Sequence, residues 1–290
     1  MKPPPFSYHT PQSVAEAVAL LGSLDNAQLL AGGQSLMPML NMRYAQPDHL
    51  IDLACVAGLD RIKVRDGGLE IGAMVRQRTV EFSEDVRRLC PLLAEAIRFV
   101  GHRQTRNRGT VGGSLAHCDS AAEIPTICAA LEATIRVEGP SGRREIPFRE
   151  FPVGYLMSSL APDEVLVSLY LPVWVAGHGH GFEEFARRHG DFAIVSAAAL
   201  IEADKDGRIA HAALAIGGAG AAPVRIDAVE NELFGKAGGR ESFAAAADLC
   251  SGIEAYDDIH ASGEYRRRLA RVLALRALDK AWSRAVGGPA

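Results

Sequence analysis

Residues 29–38 read Leu-Leu-Ala-Gly-Gly-Gln-Ser-Leu-Met-Pro, "LLAGGQSLMP". Leu29 and Leu30 read as the end of a buried strand. Two glycines follow, then the polar pair Gln34–Ser35, then apolar residues cut off by Pro38. Adjacent glycines at such a place have two readings. One is a plain turn, because glycine and small polar residues dominate turns. The other is a ligand that must come close to the backbone. Without a Cβ, the N–H groups of consecutive residues can converge on an anionic oxygen and form a nest. This stretch alone leaves both open.

A second stretch has the same character. In "TRNRGTVGGSLAHCDSAAEIP", residues 105–125, a Gly-Gly pair again meets a small polar residue, with a helix-prone run after it. Ser35, Thr110 and Ser114 add hydroxyl donors to the two glycine pairs. Two such loops in one domain suit a ligand with two linked phosphates. A third cluster, "AIGGAGAAPVRI", begins like a dinucleotide fingerprint at Gly218-Ala-Gly220. Pro223 falls where that fingerprint needs a continuing helix, and no β-α-β unit surrounds it, so it reads as a loop after a strand.

Working outward, "HTPQSVAEAVALLG" predicts a helix capped by Thr10, with Pro11 in its first turn and Gly22 at its stop. "AQLLA" and "DHLIDL" predict strands, and "GGLEIGAMV" another after a turn at Asp66–Gly68. A helix is expected from Val86 to Phe99, with Leu89, Leu92, Leu93, Ala96 and Ile97 inward. "ATIRVEGPSGRREIPF" is a hairpin pattern around Gly-Pro-Ser-Gly. "DEVLVSLYLPV" is a further strand ended by proline. After "VWVAGHGHG" the pattern changes, which puts a domain boundary near Ala176. Two apolar runs joined at Asp206–Gly207 then predict a second hairpin, and the rest is alanine-rich and helical. The last helix places Leu269, Val272, Leu275, Leu278 and Trp282 on one face. Its arginines lie on the other, as a solvated face or a partner surface. The fold class is α+β: mixed strands first, then a smaller domain of antiparallel sheet plus helices.

The chain has 290 residues, enough for two domains, and an ordinary globular composition. Its net charge of −4 gives no electrostatic footprint for nucleic acid or an anionic membrane. No apolar run reaches the length of a membrane span, and "MKPPPFSYHT" lacks the apolar core of a secretory signal. The five cysteines are scattered with no CxxC pair, which argues against a disulfide framework, a zinc site or a cluster held by this chain alone. A cytoplasmic address follows as the expectation. No HExxH, Walker or GxSxG motif is present. His178 and His180 read as solvent-exposed loop residues. Adjacent His117, Cys118 and Asp119 do not point at one target as a nucleophilic site requires, and Asp119 reads as a cap for the next helix. The residues yield no catalytic acid or base and no metal site.

"AGGQSLMPMLNMRYAQPDHLIDL" together with "RNRGTVGGSLAHCDSAAEIP" closely resembles the FAD-binding medium subunit of molybdenum-containing hydroxylases, the carbon monoxide dehydrogenase and xanthine dehydrogenase group. The likeness continues through "DEVLVSLYLP" and "EEFARRHGDFAIV". It implies a PCMH-type FAD-binding domain of two α/β subdomains, spanning 1–176 and split near 55, and a flavoprotein C-terminal domain spanning 177–290. It implies a heterotrimer, single or doubled, with a large molybdopterin subunit and a small subunit bearing two [2Fe–2S] clusters. Electrons would reach FAD here from those clusters and leave to an external acceptor.

The resemblance makes Ala31, Gly32, Gly33, Gln34 and Ser35 the first pyrophosphate loop, and Thr110, Val111, Gly112, Gly113 and Ser114 the second. Glu123 stands where the family more often has an aspartate that holds the adenosine part. Leu166 matches an apolar residue packed on the flavin. Phe192 matches a position that covers the isoalloxazine ring, with core packing as its other reading. Gln34 stands where some relatives carry histidine, and nothing implies a covalent flavin tether. The alternative function is a stand-alone FAD oxidoreductase with its own small substrate. The third reading is a non-catalytic protein using its glycine loops for another phosphate ligand.

Overall fold

The structure is a computed structural model and describes residues 2–287. Three sheets organise it. In the first part, β1 (Ser7–His9), β3 (His49–Asp52) and β2 (Ala27–Leu30) form a parallel sheet in that spatial order. Helices α1 (Val14–Ser23) and α2 (Leu36–Met42) make the crossovers. The start of α1 differs from the Thr10–Pro11 expectation. Ser13 caps it, accepting from the Glu16 amide at 3.2 Å, while Glu16 reaches back to the Gln12 amide at 2.8 Å. That reciprocal pair satisfies two otherwise unpaired amides and sets the boundary. Pro38 does not end an apolar run. It lies in the first turn of α2, where its missing N–H costs nothing.

The second part is an antiparallel sheet packed against helices. Its strand order is β4 (Ile62–Arg65), β5 (Gly68–Gly72), β10 (Val165–Pro172), β6 (Thr134–Gly139), β7 (Gly142–Pro147). The helices are α3 (Gln77–Phe82), α4 (Glu84–Leu89), α5 (Pro91–Ala96), α6 (Arg103–Arg108), α7 (Val111–His117) and α8 (Glu123–Ala130). Helix α1 also reaches β10, through Val165, on the face away from the main core. The single helix expected over 86–99 is two, because Pro91 cannot continue α4 and instead starts α5. A short ribbon, β8 (Pro152–Gly154) with β9 (Met157–Ser158), lies between β7 and β10.

The third part is an antiparallel sheet, β11 (Gly179–Phe185), β12 (Val195–Ala203), β13 (Ile209–Gly217) and β14 (Val224–Arg225), with α9 (Asp227–Leu233), α10 (Arg240–Asp248) and α11 (Gly263–Val286). Period-two alternation sends β12 into two cores. Val195, Ala197, Ala199 and Ile201 face the C-terminal helices. Ala198 and Leu200 join Leu92, Ile127 and Cys128 in the core of the second part. The sheet is therefore buried on both faces and welds the two α+β regions together.

The most buried face of α11 is centred beside the expected leucine face and shares only Leu278 with it. Ala270, Leu273, Ala274, Ala277, Leu278 and Ala281 are buried, whereas Leu269, Val272, Leu275 and Trp282 are half-buried. The cause is in β11. A Cβ on Gly179 would lie 1.7 Å from the Ala281 carbonyl oxygen, and one on Gly181 2.3 Å from that of Ala277. The helix approaches to backbone contact, and only small residues fit. Nor are its arginines all solvated: Arg266 is 3% exposed and donates to the Ile194 and Gly218 carbonyls, both at 2.7 Å. His180 lies in β11 rather than in a loop, and its Nε2 is 3.4 Å from Glu95. Burial and the Arg284 charge push its pKa down to about 4. Lys280 and Arg284 hold the Glu95 carboxyl below its usual range against the opposing effect of burial.

Candidate functional site: a cleft between two glycine loops

The two glycine stretches meet. The first leaves the C-terminal end of β2 and enters α2, the usual place for a ligand loop beside a parallel sheet. The second joins α6 to α7. Gly32 sits against the backbone before the second loop: a Cβ there would be 2.5 Å from the Arg108 carbonyl oxygen and 2.8 Å from the Gly109 Cα. A cleft of about 560 Å³ opens between them. Twelve of the thirteen site residues expected from the sequence line it. They are Ala31, Gly32, Gly33, Gln34, Ser35, Thr110, Gly112, Gly113, Ser114, Glu123, Leu166 and Phe192. Val111 does not. It is buried in the core of the second part.

The loops differ in how their amides are used. In the first, Gly33 takes φ +71, a left-handed conformation that favours glycine. The amides of Gly32, Gly33, Gln34 and Ser35 meet no acceptor among the described residues. Ser35 is the N-cap of α2 yet makes no capping bond, so its hydroxyl is also open. This fits the nest reading of consecutive unsatisfied donors.

The second loop does not have that form. Gly112 and Gly113 are inside the first turn of α7, not in a turn ahead of it. The Val111 amide donates to Val75 at 3.0 Å, and the Gly112 amide to Ala73 at 2.8 Å. The Gly113 amide donates to Thr110 Oγ1 at 3.0 Å, and that of Ser114 to the Thr110 carbonyl at 3.2 Å. Thr110 is a helix cap by geometry. The glycine at 112 answers a packing demand, since its Cβ would stand 2.5 Å from that of Ala73.

Glu123 opens α8 and is 4% exposed. Burial raises its pKa, and the Asp119 charge adds to the rise, against the pull of its own amide and of Arg106. Asp119 is not the cap of α8, whose N-cap is Ala122; it accepts from the Ala121 amide at 2.9 Å in the turn before that helix. Glu184 in β11 has its pKa raised by burial and then by the Glu123 charge. Leu166 lines the cleft where β10 carries a bulge between Leu166 and Ser168. Phe192 is 61% exposed while lining the cleft, so it is not a core side chain. Gln77, Thr105 and Leu156 also line the cleft and were not anticipated. Gln77 opens α3 and Leu156 stands in the turn between β8 and β9, neither with a pattern around it, while Thr105 lies in α6 at the head of the second quoted stretch.

Comparison with known proteins identifies this fold and cleft as those of a two-domain flavin-binding subunit. Residues 4–174 match the FAD binding domain in molybdopterin dehydrogenase, and residues 180–281 the CO dehydrogenase flavoprotein C-terminal domain. The 6-hydroxypseudooxynicotine dehydrogenase complex subunit alpha of Paenarthrobacter nicotinovorans is 39% identical, over 98% of this chain and 97% of its own. The carbon monoxide dehydrogenase medium chain of Hydrogenophaga pseudoflava is also 39% identical, over 98% and 99%. A solved structure of carbon monoxide dehydrogenase from that organism, lacking the Mo-pyranopterin moiety of its cofactor, superposes with a TM-score of 0.95 at 40% identity, covering 98% of this chain and 99% of the other. The chain belongs to the FAD-binding medium subunits of the carbon monoxide dehydrogenase and xanthine dehydrogenase family of molybdenum hydroxylases. It is an oxidoreductase component.

Proposed function

We propose that this subunit accepts electrons from the [2Fe–2S] clusters of a small partner subunit and delivers them to an external acceptor. A large molybdopterin subunit completes the heterotrimer or its dimer. Flavin supplies the redox chemistry, and the protein supplies binding, orientation and exposure. The observation that carries the reading is the run of four open amides at Gly32–Ser35, facing a cleft large enough for a dinucleotide. Ala31–Ser35 hold one side of the diphosphate. Thr110, Gly112, Gly113 and Ser114 hold the other through side chains and a close, Cβ-free surface, while Val111 anchors that loop to the core. Glu123 takes the adenosine part, Leu166 packs on the flavin, and Phe192 governs access to it.

Domain spans of 1–176 and 177–290, with a subdomain split near 55, go with this reading; residues 1 and 288–290 lie outside those described. The three-stranded sheet ending at Asp52 and the start of β11 at Gly179 support both divisions. The two relatives quoted above are named for unlike substrates at the same identity. Substrate choice is therefore assigned to the large subunit. A cytoplasmic address accords with five cysteines that form no disulfide.

The test is purification of the native protein. A flavin spectrum together with co-purifying molybdenum and iron is expected. A colourless protein that gains no spectrum with added FAD overturns the reading. A chain that runs alone, without molybdenum or iron, and turns over a substrate is a stand-alone flavin oxidoreductase instead.

A further inference from the structure

Four buried side-chain atoms lack a hydrogen-bond partner among the described residues: Gln77 Oε1, Ser159 Oγ, Glu184 Oε2 and Arg266 Nε. Of their residues, Gln77 alone lines the cleft. Buried polar atoms in native proteins nearly always find partners, and an orphan asks for an explanation. Gln77 is 5% exposed; its Oε1 is closed off from solvent, while its carboxamide nitrogen, also without a hydrogen bond among the described residues, is the polar atom that keeps accessible surface.

The backbone fixes this side chain in place. Gln77 is the first residue of α3, and its amide donates to the Gly109 carbonyl at 2.9 Å. Arg76, just before it, forms an isolated β-bridge with Thr110. The room for the carboxamide comes from a glycine: a Cβ at position 109 would lie 2.4 Å from Gln77 Oε1. A neutral amide is thus held, unsatisfied, against the backbone that leads into the second loop.

Its place along the cleft selects the ligand part it faces. Gln77 touches the chain just before α7, and Glu123 follows the far end of that helix. Seven residues of helix separate these ends by about 10 Å. With the diphosphate between the loops and adenosine toward Glu123, the Gln77 end is left for the flavin half. We propose that the Gln77 carboxamide hydrogen-bonds the flavin half of FAD, its nitrogen donating to a carbonyl or hydroxyl oxygen there while its carbonyl stays turned toward Gly109. This rests on the FAD reading given above. The carboxamide nitrogen carries two donors and so matches the pyrimidine edge of the flavin ring, which presents two carbonyl oxygens.

The experiment uses the full chain stripped of FAD, with FAD and ADP as separate probes. Gln77→Leu is expected to weaken FAD binding by about ten- to a hundredfold, leave ADP binding unchanged and shift the visible flavin bands. The melting temperature of the stripped variant should equal or exceed that of the stripped parent, because the orphan carbonyl is gone. Gln77→Glu provides the control that keeps the side-chain volume; lacking the amide donors, it too should lose FAD and not ADP. Unchanged FAD binding and spectrum in both variants overturns the proposal. Equal loss of FAD and ADP in both also overturns it, since that marks a purely structural residue. Failure of the parent chain to bind either probe overturns the FAD reading itself, a different outcome.

Discussion

The two glycine loops look alike in sequence and are built in opposite ways. The first, around Gly32–Ser35, leaves four consecutive amides and the Ser35 hydroxyl without partners. The second, around Thr110–Ser114, uses four of its five amides internally, those of Val111 and Gly112 on the turn after β5 and those of Gly113 and Ser114 on Thr110; only the Thr110 amide meets no acceptor among the described residues. A glycine pair is thus a statement about space and not about donors. At Gly33 the space is conformational, at φ +71. At Gly112 it is packing, with Ala73 where a side chain would go. One loop presents open donors to the cleft, and the other is a wall whose donors are mostly used up.

That contrast predicts unlike consequences for like substitutions. Gly112→Val drives a side chain into buried Ala73 and should cost about 3 kcal/mol of stability. For a chain of this size that is a fall of roughly 6–12 °C in the melting point of the stripped protein. Affinity lost with the melting point intact would show that the second loop is a donor surface after all. Gly33→Val meets only side-chain atoms, Met37 Cγ at 3.2 Å and Leu30 Cδ1 at 3.5 Å. It imposes a left-handed strain of about 1–2 kcal/mol, and the loop must change shape to relieve it. FAD affinity, read by fluorescence titration, should fall about a hundredfold, or roughly 2.7 kcal/mol, while the fold survives. Retained affinity would remove the first loop from the site.

The smallest effect tests the far end of that wall, where Glu123 meets Glu184. Burial raises both carboxyl groups, so the folded state holds protons that the unfolded state releases. Stability then falls as pH rises above the ordinary glutamate value of about 4.3. Glu184→Gln removes one charge and should flatten that fall. A melting point higher by about 2–4 °C at pH 8, with little change at pH 5, is the expected pattern. A gain of the same size at both pH values would mean that charge is not the cause.

Much of this was legible in the sequence. Asp206–Gly207 marked the β12–β13 hairpin, and an apolar run ended by Pro172 marked β10, because short-range chemistry sets both. The two loops were found as glycine pairs followed by small polar residues. What stayed hidden depended on distant partners. Leucine spacing pointed to one side of the buried face of α11, whose centre is alanine, since the partner strand offers hydrogen atoms at Gly179 and Gly181 and takes alanine in return. Arg266 looked solvated because its carbonyl acceptors, Ile194 and Gly218, lie 72 and 48 residues away. Glu184 and Gln77 had no signature at all. Each is one polar residue in an ordinary element, and its importance comes from what faces it.

The contact of β11 with α11 has a consequence for how this protein can change. Most cores retune by trading one methylene for another. At Gly179 and Gly181 there is nothing smaller to trade toward, and any larger residue lifts the whole helix. Lifting α11 withdraws Lys280 and Arg284 from Glu95, and with them the ion pairs that tie the C-terminal helix to the FAD-binding half. The seam behaves as a latch rather than a dial. Gradual adjustment of the distance between the two halves is closed to single substitutions there, and variation in that distance has to come from the loops instead.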